Sequence, residues 1–280
     1  MDYIFISDFF VDQVLGGGEL NDDELVKLIK QKNRVKKINS HKVLESFIFE
    51  NINSNYIISN FINLPERCKD LISKRCNYII YEHDHKYLID RNPGRYDKFT
   101  APKSNIINYN FYKNSKAVLC QSEFHKSIIH RNLKIDNIIS LSGNIWNLDS
   151  INLISKFCKK DKLSKCSIMD SNIPHKNTIS SIKYCRAKNL PYELIPSLQY
   201  HNFLDRISNN DSLVFFPKTP ETLSRITVES RMMNMKVITN SFVGATKEEW
   251  FKLKGDDLIS VMIDKRKEIT NIVEGIFNER

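Results

Sequence analysis

Short β-rich runs alternate with amphipathic helical segments along this sequence, and the alternation begins a second time past the midpoint. Such a pattern is typical of α/β layers built on parallel sheets, because parallel strands need a helix-length crossover between them. In the first half we predict strands at 3–7, 34–39, 56–61, 78–82, 117–121 and 138–141, and helices at 20–32, 42–52, 66–74 and 123–131. Leu25, Leu28 and Ile29, for example, recur at helical spacing.

The second half repeats the pattern after a charged helical stretch at 147–162. Here we predict strands at 166–169, 192–195, 212–216 and 236–239, helices at 177–188, 200–208 and about 220–233, and a helical tail from 247 that ends at 265–278. We therefore expect two domains, 1–146 and 147–280, with the boundary near Trp146 and the last helix packing back on the first domain. Two serial α/β units suit a ligand that bridges the carboxyl ends of both sheets.

The composition fits a globular protein and excludes a disordered chain. At 280 residues the chain is large enough for two compact domains or one large one, and with 41% hydrophobic and 27% charged residues it has enough apolar material to form cores. No apolar run approaches the ~20 residues of a membrane-spanning helix, and the N-terminus has no basic segment before an apolar stretch. The six cysteines form no C-x-x-C pair, so we expect reduced thiols in a cytoplasmic protein.

The formal net charge of +9 favours contact with a polyanion such as nucleic acid, an acidic membrane surface or an acidic glycan. The lysines are scattered and form no dense block, which favours the simpler interpretation that they reflect bulk composition. Charge alone therefore does not select a partner.

A glycine run, Gly16-Gly17-Gly18-Glu19, lies between the first predicted strand and the first predicted helix. Glycines at such a turn let backbone N–H groups approach an anion or a sugar closely. The run is not the G-x-G-x-x-G of dinucleotide-binding proteins, and an isolated glycine run is more often only a turn.

A second group of polar residues, Tyr81-Glu82-His83-Asp84-His85-Lys86, follows the fourth predicted strand. Ionisable residues at the carboxyl end of a strand commonly face the ligand site of an α/β fold. Metal binding by His83, Asp84 and His85 is an alternative, but adjacent residues of an extended chain point to opposite faces. The remaining alternative is a buried histidine whose polar atoms are satisfied by the backbone.

The third group of residues, 216–229, contains a strand end, a Pro-rich turn and a helix. Thr219 followed by Pro220 predicts the helix start. N–H groups at that start can hold a diphosphate, and a carboxylate such as Glu229 can accept hydrogen bonds from two ribose hydroxyls.

Glu221 and Glu229 have the spacing of the Glu-x7-Glu motif, and here the sequence resembles family 4 glycosyltransferases. Further landmarks follow in the family's order: the glycine run, His83-Asp84, the strand at 117–121 with Ser122 and a helix, Ser142-Gly143-Asn144, and Lys176-Asn177. The sequence departs from the family pattern at Thr222 and Ser224, where glycines are usual, and in having no Arg just before Lys176.

The resemblance implies the GT-B fold, in which two Rossmann-like domains face each other across a cleft. It also implies a metal-independent hexosyl transfer that retains the anomeric configuration, with a UDP- or GDP-linked sugar as co-substrate and no other cofactor. The residues that it assigns are the catalytic Glu221 and His83; the donor-binding Gly16, Gly17, Gly18, Lys176, Thr222, Leu223, Ser224, Arg225 and Glu229; and Glu19, Asp84 and His85 on the acceptor side.

Two alternatives from other classes stay open at this point. The departures at Thr222 and Ser224 suit a nucleotide-sugar-binding module without transfer activity, and the net charge suits a basic nucleic-acid-binding protein. Within the transferase interpretation the acceptor is a glycan, a lipid, a protein or modified DNA, and the sequence does not choose among them.

Overall fold

The computed structural model describes residues 1–278, whose contacts divide the chain into two compact units. Unit 1 comprises Met1–Ile145 together with the chain from Lys265 on, and unit 2 comprises Trp146–Asp264. Unit 2 thus begins at the residue near which the sequence places the domain boundary. No helix within residues 1–278 is long and apolar enough to cross a membrane.

Unit 1 is built on a six-stranded parallel sheet in the order β2-β1-β3-β4-β5-β6. Its strands are β1 (Asp2–Ser7), β2 (Arg34–Asn39), β3 (Asn55–Ile58), β4 (Asn77–Glu82), β5 (Val118–Cys120) and β6 (Ile138–Ser140). All six predicted strands are confirmed, although β3 stops at Ile58 instead of residue 61. The strand order reverses between β1 and β3, which is where ligands commonly bind in open α/β sheets.

The helices of unit 1 cover both faces of this sheet. They are α1 (Gly17–Lys30), α2 (Glu45–Glu50), α3 (Glu66–Arg75), α4 (Tyr109–Lys113), α5 (Glu123–Leu133) and the second part of α10 (Gly255–Asn278). Alternate strand residues therefore enter two different cores, with Ile4 and Ile6 on one face and Tyr3 and Phe5 on the other. The end of α10 belongs to the second core, where Phe277 packs edge-on against Tyr3 at 5.6 Å between ring centroids.

Unit 2 is built on a four-stranded parallel sheet in the order β10-β9-β7-β8. Its strands are β7 (Leu163–Met169), β8 (Tyr192–Ile195), β9 (Asn210–Phe215) and β10 (Lys236–Thr239). Its helices are α6 (Leu148–Cys158), α7 (Thr178–Ala187), α8 (Tyr200–Ser208), α9 (Arg225–Met232) and the first part of α10. The four predicted strands are confirmed, and the order reverses between β7 and β9.

The predicted helix start at Thr219 and Pro220 is wrong, because α9 begins only at Arg225. Glu221 instead forms an isolated parallel bridge with Val243. Its N–H donates to a carbonyl of that segment at 2.8 Å, and its own carbonyl accepts an N–H at 2.9 Å. These two backbone hydrogen bonds keep the chain extended at a position where the proline alone favours a first helical turn.

Candidate functional site

Two loops meet at the β7/β9 reversal of unit 2, one after each strand. The Asn177 side-chain amide donates to the Phe216 carbonyl at 2.8 Å, and the Lys218 N–H donates to the His175 carbonyl, also at 2.8 Å. Asn177 has a left-handed backbone with φ 57°, which asparagine tolerates better than most residues. These bonds join the two loops into one polar edge at the carboxyl ends of the strands.

Lys176 and Glu221 form an ion pair on this edge. The Lys176 Nζ lies 2.9 Å from Glu221 Oε1, and the two side chains are 28% and 17% exposed. The ammonium also lies 5.7 Å from the centroid of the Phe215 ring. The structure thus brings together two predicted site residues at a place where solvent, and therefore a ligand, still reaches them.

Glu229, the second glutamate of the motif, is 3% exposed and is held through one oxygen. Its Oε1 accepts hydrogen bonds from Trp146 Nε1 at 2.9 Å and from the Tyr200 hydroxyl at 2.7 Å. Arg225 Nε approaches the same oxygen at 3.5 Å. The carboxylate is therefore held in place by three side chains of the protein.

Trp146 and Tyr200 are functional candidates that sequence reasoning missed. They lie 83 and 29 residues from Glu229 along the chain, so no local spacing connects them. The only available signal was general: a buried Trp or Tyr usually needs a hydrogen-bond partner for its polar atom. Burial, and next the Glu229 carboxylate, raise the pKa of Tyr200 well above its usual range, so its hydroxyl remains a donor at any physiological pH.

The remaining predicted residues of this group lie between the two glutamates. Arg225 stacks its guanidinium on the Trp146 ring, 4.4 Å from the centroid. Thr222 is half-buried and Ser224 is buried. The Leu223 side chain is fully buried in the core of unit 2, so only its backbone can contribute to binding.

The glycine turn of unit 1 lies between β1 and α1, at the β1/β3 reversal. Gly17 is the first helical residue and Gly16 is the extended residue before it, with φ −130°. A side chain on Gly16 would collide with the Glu19 carboxylate, and one on Gly18 would start 3.5 Å from the His83 ring. Burial, the largest cause, raises the pKa of Glu19. The structure thus places the predicted glycine turn against the predicted His83.

His83 is fixed through both ring nitrogens. Its Nε2 lies 2.6 Å from the buried Asp22 carboxylate, and its Nδ1 lies 2.5 Å from the Gln121 side-chain nitrogen. This network assigns the Nε2–H tautomer, which donates to Asp22 and accepts from Gln121. Asp22 and Gln121 come from α1 and the end of β5, and sequence reasoning did not identify either residue.

The side chains of Glu82, His83 and Asp84, at the end of β4, do not converge on one point. Glu82 is fully buried and contacts the Lys86 ammonium and the Tyr112 hydroxyl. The Asp84 carboxylate accepts from Lys86 at 3.0 Å and from Arg91 at 3.2 Å. Although burial acts to raise it, Lys86 holds the pKa of Asp84 well below its usual range. Over the part of the chain that the structure describes, no group of three or more His, Cys, Asp or Glu side chains is arranged to hold a metal.

His85 is a core residue, which corrects the prediction that it faces the acceptor. The chain bends after β4 ends at Glu82, and the His85 ring is 2% exposed, packed edge-on against His125. Its Nδ1 lies 3.0 Å from the Tyr87 hydroxyl. Burial, the largest cause, lowers the pKa of His85 to about 4, so the ring is neutral at pH 7.

No protein-family model and no curated protein matches this sequence. Solved structures do match it along its whole length. Sucrose-phosphate synthase from Thermosynechococcus elongatus has a TM-score of 0.58 at 9% identity, covering 99% of this chain and 94% of its own. HepE from Anabaena in complex with UDP-glucose has a TM-score of 0.55 at 11% identity, covering 99% and 93%.

At such low identity these likenesses establish the fold, while membership of family 4 stays a prediction. Both similar proteins are GT-B glycosyltransferases. Each unit of this chain is a parallel sheet covered by helices, as a Rossmann-like domain requires. The chain therefore has the GT-B fold, with two Rossmann-like domains.

Proposed function

We propose that this protein is a glycosyltransferase that takes a sugar from a nucleotide-sugar donor. The observation that carries the proposal is the Lys176–Glu221 pair at the β7/β9 reversal, on a GT-B fold whose second motif carboxylate, Glu229, is held by Trp146 and Tyr200. Fold alone does not define chemistry, but Lys176, Glu221 and Glu229 supply a cation for a diphosphate and two carboxylates for hydroxyl groups.

The diphosphate is assigned to Lys176 and to the N-terminus of α9. Helix N-terminal N–H groups and an ammonium stabilise the negative charge that develops as the nucleoside diphosphate departs. The Lys176 ammonium is paired with the Glu221 carboxylate. A bound diphosphate would take over this cation and release the Glu221 carboxylate to accept hydrogen bonds from the sugar.

Glu229 is assigned to the ribose. Trp146 and Tyr200 both donate to Oε1, which leaves Oε2 as the oxygen that accepts from ribose hydroxyls. Because these hydroxyls do not change during transfer, Glu229 would contribute equally to the ground state and the transition state.

The finer assignments rest on the family resemblance. They are retention of configuration, independence of metal, a cytoplasmic location, and contact of His83 and the Gly16-Gly17-Gly18 turn with the sugar end of the donor. In support, Asp22 and Gln121 hold the His83 ring in one orientation, as expected of a residue that touches substrate. HepE was solved with UDP-glucose, so UDP-glucose is the first donor to test, followed by GDP-linked sugars.

The test measures release of nucleoside diphosphate from UDP- and GDP-sugars with the full chain, in EDTA and in added Mn²⁺. We expect slow hydrolysis that persists in EDTA and is largely lost in Lys176→Met. Lys183→Met, an exposed lysine on α7, is the matched control and should keep wild-type turnover. Activity that needs Mn²⁺ would contradict the metal-independent mechanism. Equal turnover in Lys176→Met and Lys183→Met would contradict the assignment of Lys176 to the donor site.

A second candidate is a nucleotide-sugar-binding module that does not transfer. One observation favours it: Ser224 occupies a left-handed backbone position, with φ 75°, between the two glutamates, where the family usually has glycine. Donor binding by calorimetry, together with no turnover for any nucleotide sugar, would select this candidate over the enzyme.

A further inference from the structure

Unit 1 contains a pocket of about 500 Å³ whose walls come from the segments that follow β3 and β4. The volume lies within the usual range for small-molecule sites. Nothing in the assignments above uses this pocket. Its lining combines lysine and arginine side chains with exposed isoleucines, so it has a polar part and an apolar part.

The Lys69 ammonium is the cation best placed to bind a ligand. Its side chain is 8% exposed, whereas the carboxylate paired with it, Glu66, is 82% exposed. Nζ contacts Glu66 Oε1 at 2.5 Å and Asn108 Oδ1 at 3.0 Å. An exposed carboxylate on a flexible side chain contributes little to such a pair. A ligand anion can therefore replace Glu66 at a cation that is already desolvated.

The surroundings of Lys69 are held in place by the protein. Asn108 accepts from Lys69, and its own amide donates to the Lys86 carbonyl at 2.9 Å. Lys86 is buried and paired with Glu82 and Asp84, so it is structural. Arg91, half-exposed and paired with Asp84 at 3.2 Å, adds a second cation to the lining.

The apolar part of the lining is exposed to solvent. Ile62, Ile89 and Ile107 are 48%, 61% and 38% exposed, and all three line the pocket. Covering such side chains with an apolar group is favourable, at about 25 cal/mol per Å² of buried apolar surface. A ligand without an apolar group would leave these three isoleucine side chains exposed to water.

We propose that this pocket binds an amphiphilic anion, with a phosphate or carboxylate on Lys69 in place of Glu66 and an apolar group over the three isoleucines. Binding itself requires no sugar transfer.

The probe is decyl phosphate below its micelle concentration, titrated calorimetrically into the full chain, with inorganic phosphate and decanol as its two halves. We expect decyl phosphate to bind at least about tenfold more tightly than either half, because only it uses both parts of the pocket. Equal affinity for inorganic phosphate would overturn the apolar part of the proposal. Binding only to phosphatidic acid vesicles, and not to the monomer, would assign this face to a membrane surface and overturn the pocket.

Variants locate the site. Lys69→Met should weaken decyl phosphate at least about tenfold, and Ile89→Asp should do the same by placing a carboxylate beside the apolar chain. Glu66→Gln should strengthen binding severalfold, since it removes the competing carboxylate. Lys74→Met, an exposed lysine on the same helix, should leave the affinity unchanged. If Lys69→Met fails to fold, the exposed Glu66 and Ile89 variants decide the question.

The outcome is independent of donor chemistry. Decyl phosphate binding that the three site variants, Lys69→Met, Ile89→Asp and Glu66→Gln, all leave unchanged would overturn the pocket even if donor turnover is normal. Binding with the expected pattern, in a chain that turns over no nucleotide sugar, would keep the pocket and reject only the transferase.

Discussion

The Lys176 ammonium lies 2.9 Å from the Glu221 carboxylate, although the two residues are 45 positions apart in the chain. They meet because the strand order of unit 2 places β7 and β9 side by side, so that the loops after these strands share one edge. Under the proposed function, an anionic ligand would pair with the Lys176 ammonium, and the Glu221 carboxylate would then accept hydrogen bonds from hydroxyl groups.

The two glutamates of the motif should fail differently when each is replaced by alanine. Glu229→Ala removes binding that is uniform along the reaction, so it should mainly raise the donor KM, by roughly tenfold or more. Glu221→Ala removes an interaction that strengthens as the sugar becomes oxocarbenium-like, so it should mainly lower kcat. Steady-state kinetics with varied donor separates the two effects. Glu249→Ala, at an exposed position, is the control, and equal behaviour of all three variants would make the Glu-x7-Glu spacing a coincidence.

Tyr200→Phe should weaken donor binding indirectly, through the Glu229 carboxylate to which the Tyr200 hydroxyl donates. The variant keeps the shape of the ring and removes one hydrogen bond to the Glu229 carboxylate, so we expect a loss of about 1.5–3 kcal/mol in the free energy of unfolding and a higher donor KM. Urea denaturation and donor titration measure the two effects. The double variant with Glu229→Ala should show less than the sum of the single losses, and strict additivity would mean that Tyr200 does not act through Glu229.

Ser224→Gly should stabilise the protein. Ser224 has φ 75° and ψ 86°, a left-handed conformation that costs a residue with a Cβ atom about 1–2 kcal/mol. Glycine avoids this strain, but it loses more backbone entropy on folding, so only part of that energy is recovered. We expect about 0.5–1 kcal/mol more free energy of unfolding, measured by urea denaturation. Asn234→Gly at φ 64° is the matched control and should gain less, because asparagine tolerates this conformation. A larger gain at Asn234 would contradict the explanation.

Acid should destabilise the fold through His85. Burial lowers its pKa to about 4 in the folded chain, whereas the unfolded chain binds the proton at the ordinary value of about 6.5. Between these two pH values the unfolded state holds more protons, so the stability is full above pH ~6.5 and falls as the pH drops towards 4, by at most about 1.4 kcal/mol per pH unit. Urea denaturation at several pH values tests this. His85→Gln should show a shallower slope, although His125, whose pKa burial also lowers, keeps part of it.

Removing one partner of the buried Glu82–Lys86 ion pair should lower the free energy of unfolding much more than replacing both partners by neutral residues. Lys86→Met leaves the fully buried Glu82 carboxylate without its cation, and we expect a loss of about 3–5 kcal/mol in the free energy of unfolding. The double variant with Glu82→Gln should recover a large part of that loss, because both charges are then gone. A double variant as unstable as the single one would show that shape, and not the unpaired charge, is the cause.

The sequence by itself indicated the α/β class and the approximate positions of the strands, because β-rich runs such as the one at Tyr78–Ile80 alternate with helix-length connections. It also predicts site roles for Lys176, Glu221 and Glu229. The start of α9 could not be read in the same way, since the bridge between Glu221 and Val243 is a contact between segments that overrides the local preference of Pro220.

Tertiary structure alone decided which side chains surround these residues. Trp146 and Tyr200 on Glu229, and Asp22 and Gln121 on His83, come from other elements of the fold, and no spacing along the chain predicts their meeting. The burial of His85 could not be predicted for the same reason. The chain bends after β4, and the direction of the His85 side chain is set by its packing against Tyr87 and His125. The periodicity of a sequence indicates which segments are buried. Hydrogen-bond partners depend instead on distances between side chains of different elements, which are set only when the chain is packed.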